Sequence, residues 1–130
     1  MDARTRNRDT DQFGHVNHAA MATLFEESRI ALVFAPDLAA ETEGIDLLVA
    51  KLVMVFHKEL RAPGLVRLGA AIARIGSSSL VVRQAIFMDD ICFASAQATC
   101  VLFGHQSRRP VKVSDYLRRA FLDPTAGGDR

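Results

Sequence analysis

The chain has 130 residues, 49% of them hydrophobic and 24% charged, the size and balance of one compact domain with a packed core. Sixteen basic and fifteen acidic residues leave a formal net charge of +1, so overall charge exerts no pull towards DNA, RNA or an anionic membrane. No apolar run reaches the roughly eighteen residues that a membrane-spanning helix needs, and no secretory leader is read at the start, which makes a cytoplasmic enzyme or binding module the expectation.

Residues 3–8, Ala-Arg-Thr-Arg-Asn-Arg, alternate as a short edge strand can. The polar run from Asp9 to Val16 carries Gly14 and reads as a loop, after which Asn17 can cap a helix. From His18 to about Val33 good helix formers dominate, with Ala20, Leu24 and Ala31 or Met21, Phe25 and Leu32 at helical intervals. Apolar residues on more than one side predict a long helix surrounded by protein. Pro36 ends it, and residues 37–45 leave room for one short helical turn before the sheet.

After Gly44 the texture changes to long strand-like runs: Leu47 to Lys58, Leu65 to Ile75, Ser79 to Met88 and Ile91 to Phe103. Pro63-Gly64, Gly76-Ser77-Ser78 and a tight Asp89-Asp90 hairpin separate them, so consecutive strands should be antiparallel. One face of the last strand, Cys92, Ala94, Ala96, Ala98, Cys100 and Leu102, is mostly small and would let a helix approach closely. Cys92 and Cys100 lie too far apart along an extended run to bridge, so free, buried thiols are expected. Ser114 can cap a short helix over Asp115 to Phe121. The expected organisation is a single domain over residues 1–122 with a disordered tail over 123–130.

The most informative run is Asp9-Thr10-Asp11-Gln12-Phe13-Gly14-His15-Val16-Asn17-His18, followed on the helix by Phe25-Glu26-Glu27-Ser28-Arg29. At these residues the chain resembles the hotdog-fold acyl-CoA thioesterases of the 4-hydroxybenzoyl-CoA thioesterase type, in which an Asp-x-Asp-x-x-Gly-x-Val loop leads into a central helix. The resemblance continues through Leu60 to Gly64 and Gly76 to Ser78, and covers roughly residues 4–119. It implies an α+β fold, a five-stranded antiparallel sheet wrapped around one long central helix. It also implies a homodimer or homotetramer that joins sheets and shares active sites at an interface, acyl-CoA as substrate, and no metal or redox cofactor. The chain departs from the pattern in two places. The strand before the loop lacks alternating apolar residues, and His18 stands where a second asparagine is common, with Ala20-Met21-Ala22 in place of an aromatic residue.

A thioester is attacked at its carbonyl carbon, so a site needs a nucleophile or base together with donors for the oxygen that gains negative charge. Asp11 can supply the first, and the unpaired N–H groups of the helix start, near Asn17 to Ala19, can supply the second. The residues alone favour Asp11 as a loop brace or a partner of Arg6 or Arg8; the resemblance implies that Asp11 is the catalytic carboxylate. Gly14 would permit the sharp turn. His15, Val16 and His18 would shape or line the substrate pocket, and Asn17 would cap the helix or touch the thioester. Ser77 and Ser78 are candidate ligand contacts or simply a polar turn. Glu26 and Glu27 are reserve carboxylates, and Arg108, Arg109 and Lys112 could meet coenzyme A phosphates or be solvated surface. No serine-hydrolase elbow, phosphate loop or dinucleotide fingerprint is present in the sequence. The rival readings are a non-catalytic hotdog module that binds acyl-CoA or acyl carrier protein thioesters and, ranked lower, a hotdog dehydratase.

Overall fold

The four strand-like runs form four long strands, β2 (Ile45–Phe56), β3 (Gly64–Ile75), β4 (Ser79–Met88) and β5 (Ile91–Gly104). This computed structural model describes residues 1–61 and 64–122, so Pro63 of the expected turn and the 123–130 tail lie outside the described residues. With β1 (Asp2–Thr5) the strands make one antiparallel sheet in the order β1-β3-β4-β5-β2. Asp89 and Asp90 both adopt positive φ, 51° and 63°, the two-residue turn whose twist matches a hairpin.

The first strand is shorter and earlier than the alternation of residues 3–8 suggests. Asp9 supplies the reason: its carboxylate accepts from the Arg6 backbone N–H at 2.8 Å and from the Arg6 guanidinium at 3.2 Å, curling Asn7–Asp9 into a single 3-10 turn. A short acidic side chain that bonds nearby backbone competes with strand pairing, and here it wins.

One long helix, α1 (His18–Val33), lies on the inner face of the sheet. The inward pairs Leu80↔Cys100, Val82↔Ala98, Gln84↔Ala96 and Ile86↔Ala94 are all buried. Phe25, fully buried, packs in one cluster with Ala94 and Ala96, so the small face of β5 provides the depth that a large helix side chain occupies. The helix is not surrounded, however. Thr23, Glu26, Glu27, Ile30 and Ala31 are exposed, because several of the residues that made its other sides look apolar are alanines, which cost little in water. After Phe34 the chain turns through Pro36–Leu38 and α2 (Ala39–Thr42) into β2. At the far end, α3 (Asp115–Leu122) is capped by Ser114, whose hydroxyl accepts from Leu117 N–H at 3.1 Å, and sends Leu117 and Phe121 into the core. Both thiols are free; Cys100 is buried and Cys92 only half-buried.

A polar clamp fixes how α1 sits on the sheet. Arg29 and Gln84, 5% and 4% exposed, are joined by a guanidinium-to-amide hydrogen bond of 3.1 Å. The Gln84 amide nitrogen donates to the Phe25 carbonyl at 2.6 Å and to the Ser28 hydroxyl. Removing the amide leaves a buried guanidinium without its acceptor, which costs more than the net value of one hydrogen bond. Gln84→Ala is therefore expected to lower stability by about 2–3 kcal/mol in urea unfolding, whereas a surface change such as Gln97→Ala should stay within about 0.5 kcal/mol.

Candidate active site

The loop before α1 is closed by its own backbone. Gly14, at φ 79°, completes a turn in which its N–H donates to the Asp11 carbonyl at 3.1 Å, and Asp11 N–H donates to the His15 carbonyl at 2.7 Å. Only a residue tolerant of positive φ makes this reversal cheaply. Val16 N–H donates to the Leu60 carbonyl at 2.6 Å, which ties the loop to the segment that follows β2.

This folding sets the state of the Asp11 carboxylate. One oxygen, Oδ1, accepts from Phe13 N–H at 2.8 Å and His15 N–H at 3.2 Å, while Oδ2 meets no donor among the described residues. The Phe13 amide, then the His15 amide, then the nearby charge of His15 and His18 when protonated, hold the Asp11 carboxyl below the ordinary carboxylate range. Arg6 pairs with Asp9, so the Arg6 ion pair open to Asp11 from sequence falls to Asp9, while Asp11 does brace its own loop through the Phe13 and His15 amides.

Asn17 joins loop to helix. Its side-chain oxygen accepts from Ala20 N–H at 2.7 Å, its side-chain nitrogen donates to the Asp9 carbonyl at 2.9 Å, and its backbone N–H meets the same carbonyl at 2.8 Å. The amide is thus engaged at both ends. Of the helix-start donors, the backbone N–H groups of Asn17 and Ala20 are consumed, which leaves those of His18 and Ala19 without partners among the described residues.

Asp11, His15, Val16 and His18 line a cleft of about 270 Å³ at this helix tip, together with Met21, Phe56 and the segment His57 to Leu60. Asp11 is solvent-exposed in the single chain, yet it stands on this cleft beside the helix start. A larger hollow of about 400 Å³ lies near Met1 between α1 and β3. Asp11 and His18, the first of the two residues with an unpaired helix amide, line the smaller one, and chemistry rather than volume marks the candidate site.

His15 is held by Glu59 at 3.1 Å, His57 shares a hydrogen bond of 2.9 Å with Ser95, and the His18 ring stacks on Phe56. Sequence reading missed Phe56 and the segment His57 to Leu60, because they reach the loop only through strand register; the one local signal was the polar break after a long apolar strand. Ser77 and Ser78 are not brought to the cleft within one chain. Their carbonyls accept from Val113 and Leu102 N–H groups at the opposite end of β4, about 30 Å away at ~3.3 Å per strand residue. Arg108 is also distant, bonded to Asp46 at the start of β2 and lying over the Phe103 ring.

A curled five-stranded antiparallel sheet carrying one long helix, with a loop carboxylate at the helix tip, is the hotdog architecture expected from sequence. Residues 13–92 match the family model of the thioesterase superfamily, and the chain belongs to that family of thioester-hydrolysing enzymes. Solved structures share the fold. The PA5185 protein of Pseudomonas aeruginosa is 25% identical, with a TM-score of 0.81 over 96% of this chain and 91% of that one. YbaW, a probable thioesterase from Escherichia coli, is 18% identical, with a TM-score of 0.78 over 92% of each chain. The DHNA-CoA thioesterase from Staphylococcus aureus is 20% identical, with a TM-score of 0.77 over 92% of this chain and 83% of that one. A search of curated proteins finds no significant match.

Because Asn17 satisfies both a helix donor and a loop acceptor, Asn17→Ala is expected to cost about 1–2 kcal/mol. The same change should lower kcat more than a stability-matched core variant does. Thermal unfolding with steady-state kinetics measures both.

Proposed function

We propose that the protein hydrolyses an acyl-CoA to a free carboxylic acid and coenzyme A, with Asp11 as its catalytic carboxylate. The observation that carries this reading is the division of labour within one side chain: Oδ1 is pinned by two backbone amides, Oδ2 meets no donor among the described residues, and Asp11 lines the cleft at the helix tip. In the proposed reaction, water adds to the thioester carbonyl carbon and gives a proton to Oδ2. The carbonyl electron pair moves onto oxygen, which the His18 and Ala19 amides and the positive end of α1 stabilise. Collapse of the adduct expels the sulfur, which takes the proton back from Asp11 and leaves the free acid. The same oxygen could instead attack carbon directly, expelling the thiolate and forming an acyl–aspartyl anhydride that water then opens; a single turnover in oxygen-18 water that leaves an Asp11 oxygen in the product acid identifies this route with opening at the Asp11 carbonyl.

Asp11→Asn retains an acceptor for Phe13 but has no basic oxygen. It is expected to fold normally and lose about 10²–10⁴-fold in kcat, followed by thiol release from a panel of short, long and aromatic acyl-CoAs and their acyl carrier protein counterparts. A held-down carboxyl is active when ionised. Activity should therefore persist to lower pH than an ordinary aspartate would allow and fall only as pH drops through the lowered value. Wild-type rates in Asp11→Asn would remove the residue from the reaction.

A homodimer formed through β2 completes the proposal. β2 is a twelve-residue edge strand. Its Leu48, Val49, Val53, Val55 and Phe56 are 37–47% exposed, on both faces of the strand. A long apolar edge of this kind is unstable alone in water and invites strand pairing. Antiparallel pairing of two β2 edges about a two-fold axis carries the Ser77–Ser78 turn and the Arg108 loop of one protomer towards the end of the sheet that holds Asp11 of the other. Light scattering is expected to give a dimer or a tetramer built from dimers, and Val53→Lys with Val55→Lys should give monomers with reduced kcat/KM. A wild-type monomer at assay concentration would overturn the shared interface.

A further inference from the structure

The five strands contain five basic residues, Arg4, Lys51, Arg67, Arg74 and Arg83, and two acidic ones, Asp2 and Asp46. Strand register decides where they point, because residues paired across antiparallel strands share a face. Arg4 pairs with Leu65, Lys51 with Thr99, Arg67 with Phe87, Arg74 with Val81, and Arg83 with Ala71 and Gln97. All five lie on the outer face, turned away from α1, since Val66, Leu68, Leu80, Val82 and Ala98 hold the buried one. They are exposed, and none has a hydrogen-bond or ion-pair partner among the described residues. Asp46 is already taken by His105 and Arg108 at one end, which leaves Asp2, opposite Arg67, as the strands' other carboxylate.

Charge is therefore segregated. Outside the strands the sequence has eleven basic and thirteen acidic residues, and Glu26 and Glu27 stand exposed on α1, on the other side of the sheet. A chain of formal net charge +1 thus presents a positive sheet back and a slightly negative remainder. Such a face selects by repulsion as well as by attraction. Two copies packed sheet to sheet set these cations against their own images, and a copy offering its helix side builds an open array with no closing symmetry. An acidic surface of another protein is what the face fits.

Its position says which acidic protein. Ser95, on the outer face opposite Ala85 and Val55, bonds His57, which lines the Asp11 cleft. The Arg83–Gln97 pair lies two residues further along β5, about 7 Å away at ~3.3 Å per strand residue. We propose that the outer sheet face docks an acidic carrier protein that presents its acyl thioester on a flexible phosphopantetheine arm, the arm entering the Asp11 cleft past His57. The inference rests on the thioesterase reading of that cleft and adds a protein-borne substrate to acyl-CoA. Free acyl-CoA brings the same arm without a folded acidic surface, so charge on this face bears chiefly on the carrier-borne thioester. Docking through exposed charges precedes chemistry, so it acts on kcat/KM and weakens with salt.

The test reverses the charge with Arg74→Glu and Arg83→Glu together, two residues outside the cleft. One acyl group that the wild type releases from coenzyme A is assayed by thiol release on coenzyme A and on a purified acidic acyl carrier protein. The variant is expected to lose about tenfold or more in kcat/KM on the acyl carrier at low salt and to stay within about twofold on acyl-CoA. Arg74→Lys with Arg83→Lys should behave as wild type, because charge rather than guanidinium geometry is used. Fluorescence anisotropy of a labelled carrier bearing the arm without an acyl group reads docking directly, and its Kd should rise by a similar factor in the Glu variant. Arg74→Gln with Arg83→Gln replaces that variant if thermal melts show that it fails to fold. An unchanged rate on the acyl carrier, an equal loss on acyl-CoA, or a change of oligomeric state in light scattering would each overturn the proposal. So would equally tight, charge-dependent binding of a labelled single-stranded oligonucleotide or of anionic vesicles. If the wild type hydrolyses neither thioester, the reading of the cleft has failed, and carrier binding by anisotropy still decides the docking face. If it hydrolyses acyl-CoA but does not bind the carrier, the docking proposal alone is lost.

Discussion

Asn17 spans the junction on which the candidate site depends. Its amide caps the first turn of α1 and, from its other end, holds the Asp9 carbonyl in the loop. Helix start and carboxylate loop therefore move as one piece. Each bond is worth only about 0.5–1.5 kcal/mol net, but together with the Val16–Leu60 and Asp11–His15 contacts they leave the loop little freedom. The position of the Asp11 carboxylate is a consequence of backbone closure rather than of a side-chain ion pair.

That closure is useful only because the helix itself is seated. Phe25 enters the space over Ala94 and Ala96, and the Arg29–Gln84 pair tied to Phe25 and Ser28 fixes the rotation of α1 about its axis. Register on the sheet then sets which residues meet the tip. β2 pairs with β5 through Phe56↔Ala94, which delivers Phe56 beneath His18 and the following segment to Asp11. A chain of dependence runs from the small face of one strand to the orientation of a ring on the cleft.

The two ends of the sheet are chemically unlike. One holds a loop carboxylate, helix amides, His15, His18 and His57; the other holds the serine turn, with His105 and Arg108 both bonded to Asp46. A single protomer keeps these groups a strand length apart. The proposed pairing along the apolar edge of β2 is the operation that brings unlike ends together, because a two-fold axis normal to the sheet reverses strand direction.

Much of this was legible in the sequence. The long helix from His18, the capping Asn17, the four long strands, the break at Gly76 to Ser78 and the Asp89-Asp90 hairpin follow from local rules, since caps, alternation and Asp-Asp hairpins act within a few residues of one another. The loop motif and the resemblance it carries named Asp11 as the candidate carboxylate. Other features depended on contacts between residues distant in the chain. Asp9 rather than Asp11 takes Arg6, and Asn17 and Ala20 spend their amides while His18 and Ala19 keep theirs. Phe56 and His57 join the cleft, and Ser77 and Ser78 stay at the far end of one chain. Sequence pattern fixes which residues form an element, because those forces are short-ranged. Which donors remain unpaired, and which side chains share a cavity, is decided only when strand register and helix seating bring remote groups within hydrogen-bond reach.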